Sequence, residues 1–366
     1  MWGTCDTSKP RVRILLQGLR DNGIEVIECR REVWQGIQDK SQVKGAWRWL
    51  GLLASMFLAY PILLLRYLRL ARHDCVLVCY PAFVDVAIIR PFAWMRSTPV
   101  VMDWFLSAYD TVVLDRKLLA PRSIAARLLH GLEWLSVRAA DRLFMDTHAH
   151  AARMETLFGL AGKSCGAVWV GVETDHFEPS RTHPSASSPA EARVLFYGQF
   201  IPLHGIDTIV RAAALLRDEP IDWLIVGSGQ QQEAVDALIA GLDLPHVQRI
   251  AWVDYDQLPR LIEGADICLG IFGESEKAAS VVPNKVFQIL SCGRPLITRD
   301  SPAIRELVKS GDPAVQLIGA NDPRALADAV LAWTRHPPAA GANYRDTISP
   351  SAIGAQFRAF LDAPPA

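Results

Sequence analysis

From Arg193 onward, short runs of β-branched and aliphatic residues alternate with longer stretches whose apolar positions recur every three or four residues. VLFYG (194–198) precedes 206–216, DWLIVGSG (222–229) precedes 231–240, and VQRIAWV (247–253) precedes 256–263. DICLGIF (266–272) then leads to 284–292, PLIT (295–298) to 302–309, and AVQLI (314–318) to 323–335. A period of two giving way to a period near 3.6 predicts strand-then-helix units. Units of this size imply right-handed crossovers and a parallel sheet covered on both faces. Ligands of such sheets bind beyond the carboxyl ends of the strands.

The first half has the same grammar with longer helices. Strands are expected at 24–28, 75–80, 99–103, 142–146 and 167–170, and a first helix at 11–23. Only Met1 to Thr4 precede that helix's loop, so a trimmed or missing first strand is expected. Residues 173–192, rich in Pro, Ser and charge, read as a linker. The expected fold is α/β, with two doubly wound, parallel-sheet (Rossmann-like) domains, 1–172 and 193–345, facing each other across a cleft. Residues 346–366 hold a short helix that returns toward the first domain.

One stretch breaks the pattern. WRWLGLLASMFLAYPILLLRYLRL (47–70) has 17 uncharged residues between Arg48 and Arg66, against about 20 for a spanning helix. Pro61 sits inside it. From Lys44 to Arg72 there are five Lys or Arg and no Asp or Glu. Three readings stay open: a buried core helix, a true span, and a monotopic face with Trp47, Trp49 and Phe57 in lipid and Lys44, Arg48, Arg66, Arg69 and Arg72 at anionic headgroups. Surface attachment is favoured, which places the protein in the cytoplasm, peripheral on the membrane's cytoplasmic face.

The charge balance excludes one class. With 38 Lys and Arg against 39 Asp and Glu, the chain lacks the basic surplus of a nucleic-acid binder. Seven cysteines show no CxxC and no zinc spacing, and read as reduced, mostly buried thiols. No metal site is expected: His148 and His150 lack companions, and in Asp254-Tyr255-Asp256 the second acid reads as a helix cap. The first ten residues have no apolar core, so no signal peptide is expected.

Candidate chemistry lies in the strand-to-helix loops. Gly227-Ser228-Gly229 offers backbone N–H groups to a phosphate or base, although many tight turns share the pattern. Gly198 to Gly205 has glycines at both ends and His204 before the last. In 272–298 a polar loop carrying Glu274 and Lys277 ends at Pro283, a helix follows, and Gly293 caps it. Its first residues, Asn284 and Lys285, sit where the helix dipole favours a diphosphate; Gln288 lies one turn on. In the first half, Asp103, Ser107, Tyr109 and Asp110 follow one strand, and Asp146, Thr147 and His150 follow another. Asp103 also fits a loop-organising role, and Thr147 an N-cap.

These residues resemble a known group. GQFIPLHGIDTIVRAAALL, LIVGSG and PNKVFQILSCGRPLIT look like a retaining glycosyltransferase of the GT-B fold, family 4, with its "glycosyl transferases group 1" domain. The resemblance covers 193–335 well, and 11–172 more loosely through DTHAH and WVGVETDHF. It implies a hexose-type sugar transferred with retention from a nucleoside-diphosphate donor to a lipid-linked or cell-envelope saccharide, without cofactor or obligatory metal. Donor contacts would come from Gly198, His204, Gly205, Gly227, Gly229, Val253, Lys277, Pro283, Asn284, Lys285 and Gln288. Gly3, Thr4, Ser107, Tyr109, Asp110, Asp146 and Thr147 would line the acceptor side, and Asp103, His150, Glu274 and Lys285 would carry the chemistry. Gln199 and His204 stand where the family often has Arg and Lys; Ser280 and Gln288 stand where it has two Glu. Those departures motivate two alternatives, a silent nucleotide-sugar-binding protein and a nucleotide-sugar epimerase of the same fold.

Overall fold

A computed structural model describes residues 1–33, 46–160, 165–179 and 192–364. Lys44 and most of the expected linker fall outside the described residues, as do the side chains of Trp47, Arg48 and Trp49. The chain divides into two compact units, Met1–Val170 with Pro350–Ala366, and Gly171–Ser349.

In unit 1, β1 (Trp2–Gly3), α1 (Pro10–Asp21), β2 (Cys29–Arg30) and α2 (Ala46–Arg69) are followed by β3 (Val76–Val78), α3 (Phe83–Met95) and β4 (Val100–Asp103). Then come α4 (Ile124–Ala139), β5 (Arg142–Met145), α5 (His148–Phe158) and β6 (Cys165–Ala167). Strands β3 to β6 form a parallel sheet in chain order, and β1 pairs in parallel with β2. The first strand is therefore present, though two residues long, and its partner lies at Cys29–Arg30 instead of 24–28. Successive strand residues point to opposite faces. Val76, Val78, Val100, Met102, Leu143 and Met145 share one core with residues of α2 to α5.

Helix α2 has one face in the core and one face exposed. Ala59, Leu63 and Tyr67, four residues apart, are buried against that core, while Phe57, Leu58, Leu65 and Leu68 are exposed. Among the described residues, no helix is long and apolar enough to cross a membrane.

Unit 2 begins with β7 (Ala192–Tyr197), α6 (Ile206–Leu215), β8 (Ile221–Val226), α7 (Gln232–Leu242), β9 (Val247–Ile250) and α8 (Leu258–Glu263). It continues with β10 (Ile267–Leu269), α9 (Glu276–Ser280), α10 (Asn284–Ser291), β11 (Leu296–Arg299), α11 (Pro302–Leu307), β12 (Val315–Ile318), α12 (Pro323–Arg335) and α13 (Arg345–Ile348). Its six parallel strands run β12-β11-β10-β7-β8-β9. Chain order reverses between β7 and β10, and such sheets bind ligands in the crevice beyond the carboxyl ends of the strands at that point. Two local expectations change. Helix α9 occupies part of the expected polar loop, capped by Ser275, whose hydroxyl accepts from the Ala278 N–H. Asp256 caps nothing: α8 starts after Gln257 without a side-chain cap, and the Asp256 carboxylate lies 3.7 Å from His176.

The last helix, α14 (Pro350–Asp362), belongs to unit 1. It packs on α1 where Gly18 meets Gly354, and a Cβ on Gly354 would fall 2.0 Å from the Gly18 carbonyl. Ile353 and Phe357 join α1 residues, Leu77, Cys79, Val101 and Phe144 in the core on the sheet's second face. The Arg142 guanidinium donates to the carbonyls of Leu361 and Ala363 at the helix end.

Candidate functional site

The unit 2 crevice is built around Lys285. Helix α10 places it one residue past Asn284, and the helix N-cap is Pro283, which offers no side-chain acceptor to the first amides. The Lys285 ammonium lies 3.5 Å from the Gly270 carbonyl, just past β10, and 3.7 Å from the centroid of Phe196 near the end of β7. It therefore sits over the point where strand order reverses. Lys285 is buried, and among the described residues no carboxylate pairs with it. Burial alone holds its amine well below the ordinary lysine range, because desolvation disfavours the charged form. An aromatic face offsets part of that penalty. An anion entering the crevice would offset far more.

Gly198 faces this group. Its φ is 148°, and a Cβ there would lie 2.8 Å from the Lys285 ammonium and 3.0 Å from His204 Cε1. His204 is held by contact of its Nδ1 with the Gln199 carbonyl and by its edge-on ring against Phe196. The Tyr197 hydroxyl lies 2.9 Å from Gln288 Oε1 and 3.3 Å from the Lys285 carbonyl, which fixes Gln288 beside Lys285. The structure thus brings together Gly198, His204, Pro283, Asn284, Lys285 and Gln288.

The other glycines serve the loops. A Cβ on Gly227 would lie 1.9 Å from the Gly198 carbonyl, one on Gly229 2.8 Å from the Phe200 amide, and one on Gly205 2.6 Å from the Gly273 amide. Backbone fills the space a side chain would need, so all three positions require glycine for the loops to pack. Phe200 N–H donates to the Ser228 carbonyl and Gln231 N–H to the Phe200 carbonyl, zipping the two loops together. Glu274 is exposed and accepts from Asn321 Nδ2 at 3.3 Å. It follows Gly273, whose N–H donates to the Leu203 carbonyl beside His204. Lys277 is buried within α9. Val253 follows edge strand β9, two strands from β7.

In unit 1 most expected polar residues are committed to one another. Asp103 is buried in a two-pronged pair with Arg11, at 2.8 and 3.2 Å. Arg11 also donates to the Val168 carbonyl and lies against the Phe105 and Phe144 rings. Asp103 is therefore held in a buried ion pair, a loop-organising arrangement. Ser107 and the Tyr109 amide donate to buried Glu133, and Asp110 pairs with Arg153. The Thr4 amide donates to Asp85 at 2.8 Å, Tyr60 donates at 2.9 Å, and a Cβ on Gly3 would strike that carboxylate. Burial raises the Asp85 carboxyl to about 6. Gly3, Thr4, Ser107, Tyr109 and Asp110 thus have internal partners. Thr147 caps α5 by accepting from the His150 amide.

His150 differs. Its Nδ1 lies 2.6 Å from Asp146, and its Nε2 is buried with no hydrogen-bond partner among the described residues. Asp146 orients the ring through Nδ1 and leaves Nε2 as the unsatisfied ring nitrogen. The sequence reading missed Arg11, Tyr60, Asp85, Glu133 and Phe196. Only Phe196 left a signal, an aromatic residue two before the loop glycine.

Residues 191–336 match the family described as Glycosyl transferases group 1, so unit 2 carries a domain of that group. A chitobiosyldiphosphodolichol beta-mannosyltransferase of Yarrowia lipolytica is 23% identical over 260 residues, 65% of this chain and 55% of that protein. The chain spans about half the length of this relative. The fold is similar to that of sucrose-phosphate synthase from Thermosynechococcus elongatus, with a TM-score of 0.71 at 17% identity, covering 99% of this chain and 94% of that one. It is also similar to HepE of Anabaena in complex with UDP-glucose, with a TM-score of 0.60 at 15% identity, covering 87% of this chain and 89% of that one. The chain has the α/β GT-B fold of these glycosyltransferases.

Proposed function

We propose that the chain is a glycosyltransferase that moves a hexose-type sugar, with retention, from a nucleoside-diphosphate donor to a lipid-linked or cell-envelope saccharide. The observation that carries this is the buried Lys285 ammonium, set over the strand-order reversal without a carboxylate partner among the described residues. As the sugar–phosphate bond breaks, charge grows on the departing diphosphate. The ammonium and the uncapped first amides of α10 stabilise that charge from fixed positions, where a preorganised dry site is most effective. Gln288 holds a ribose hydroxyl, Glu274 the donor sugar, and His150 Nε2 accepts from a sugar hydroxyl. A donor phosphate oxygen takes the acceptor proton, so no strong protein base is required.

HepE, solved with UDP-glucose, supports the donor class. The name of the Yarrowia relative, which couples a diphosphodolichol-linked saccharide to mannosyl transfer, supports the acceptor class. The exposed apolar side of α2, with Arg66 and Arg69 at its end, supports attachment to the cytoplasmic face of a membrane.

The test is a thermal-shift screen of UDP- and GDP-sugars, followed by transfer assays with Lys285→Ala. A stabilising nucleotide sugar is expected, together with loss of roughly a hundredfold or more in turnover by a folded variant. Undiminished transfer by Lys285→Ala would refute the assignment. Binding without nucleotide release would mark a silent binding protein, and an altered sugar without any acceptor an epimerase.

A further inference from the structure

Helix α4 carries a second exposed apolar stripe. Ile124, Leu128, Leu132 and Leu135 recur at helical spacing and are 77%, 69%, 41% and 54% exposed. Its opposite side buries Ala126, Glu133, Ser136 and Val137. The helix packs on α3, α3 packs on α2, and all three cover the same face of the unit 1 sheet. An apolar side turned to solvent on two helices of one layer marks an interaction surface.

Charge says what kind. From Ala54 to Ala140 the sequence has ten Lys or Arg and six Asp or Glu. Five of those acids, Asp85, Asp103, Asp110, Asp115 and Glu133, are buried. What reaches the surface is overwhelmingly cationic. Arg66, Arg69 and Arg72 are exposed at the end of α2, and Lys117, Arg122 and Arg127 at the start of α4. None of these six has an acidic partner among the described residues. The chain as a whole carries a formal charge of only -1, so this bias is local. Leucine stripes with unpaired cations at the same helix ends suit acyl chains beneath anionic headgroups.

We propose that α4, with the basic segment 116–123 before it, docks on anionic phospholipid bilayers together with α2, so that unit 1 rests on the membrane through two helices. The proposal rests on the membrane reading of α2 and does not involve Lys285. Flotation of the whole protein tests it, using phosphatidylcholine vesicles with and without phosphatidylglycerol. Wild type is expected to float with the anionic vesicles, and Leu128→Ser with Leu132→Ser to bind about tenfold more weakly with its thermal midpoint unchanged. If that pair lowers the midpoint, Lys117→Glu with Arg122→Glu takes its place, with the same expected loss.

Wild-type binding by the α4 variants, with weakened binding by Leu58→Ser with Leu65→Ser, overturns the α4 proposal and leaves the α2 reading standing. Failure of the wild type to bind anionic vesicles overturns both. A wild-type dimer in sedimentation that Leu128→Ser with Leu132→Ser dissolves overturns it in favour of an interface between copies.

Discussion

Lys285 works against the stability of the protein that holds it. An ammonium in a dry site without a counter-charge is costly to fold around, and the same deficit draws a diphosphate. Lys285→Met should therefore stabilise the ligand-free protein by about 1–3 kcal/mol while losing nucleotide-sugar binding. Because the folded pKa lies below the unfolded one, the native state holds fewer protons between the two values, and wild-type stability rises with pH there. The gain from Lys285→Met should shrink as pH climbs toward the ordinary lysine range. Urea unfolding across that range reads this out, and a gain constant with pH would reject the lowered proton affinity of Lys285 as its source. Lys285 was legible in the sequence because a cation beside a proline at a helix start has few structural uses. The pairing of Asp103 was not legible because its partner, Arg11, lies 92 residues earlier and no local pattern links them.

Among elements, the loops after β7 and β8 act as one piece. Gly227→Ala would drive a methyl toward the Gly198 carbonyl, 1.9 Å from an ideal Cβ, at a φ of 145° that side chains rarely adopt. One loop or the other must move, displacing the Gly198 carbonyl and with it the wall facing Lys285. We expect a loss of about 2–4 kcal/mol in unfolding free energy and weaker donor binding, measured by chemical denaturation and calorimetry. A variant with wild-type values in both would break the link between the loops. The strands and helices of unit 2 were legible because each parallel strand is a short apolar run bounded by turn residues. The packing role of Gly205, Gly227 and Gly229 was not. A glycine reads alike in sequence whether a ligand or another loop fills the space beside it.

At the scale of the molecule, chain order and unit membership diverge. Residues 350–366 close the unit that begins at Met1, and Ile353 and Phe357 complete a core begun by Val12, Ile14 and Leu15. A chain ended at Ser349 should keep hydrogen-exchange protection in β7 to β12 and lose it in β3 to β5; equal protection in both sheets would contradict this. The returning helix could be anticipated from its amphipathic pattern, whereas the Gly18–Gly354 approach joins positions more than three hundred residues apart and is visible only in three dimensions. This close crossing bears on birth as well as architecture. As the ribosome extrudes the polypeptide, the part made first waits with one flank uncovered until α14 emerges.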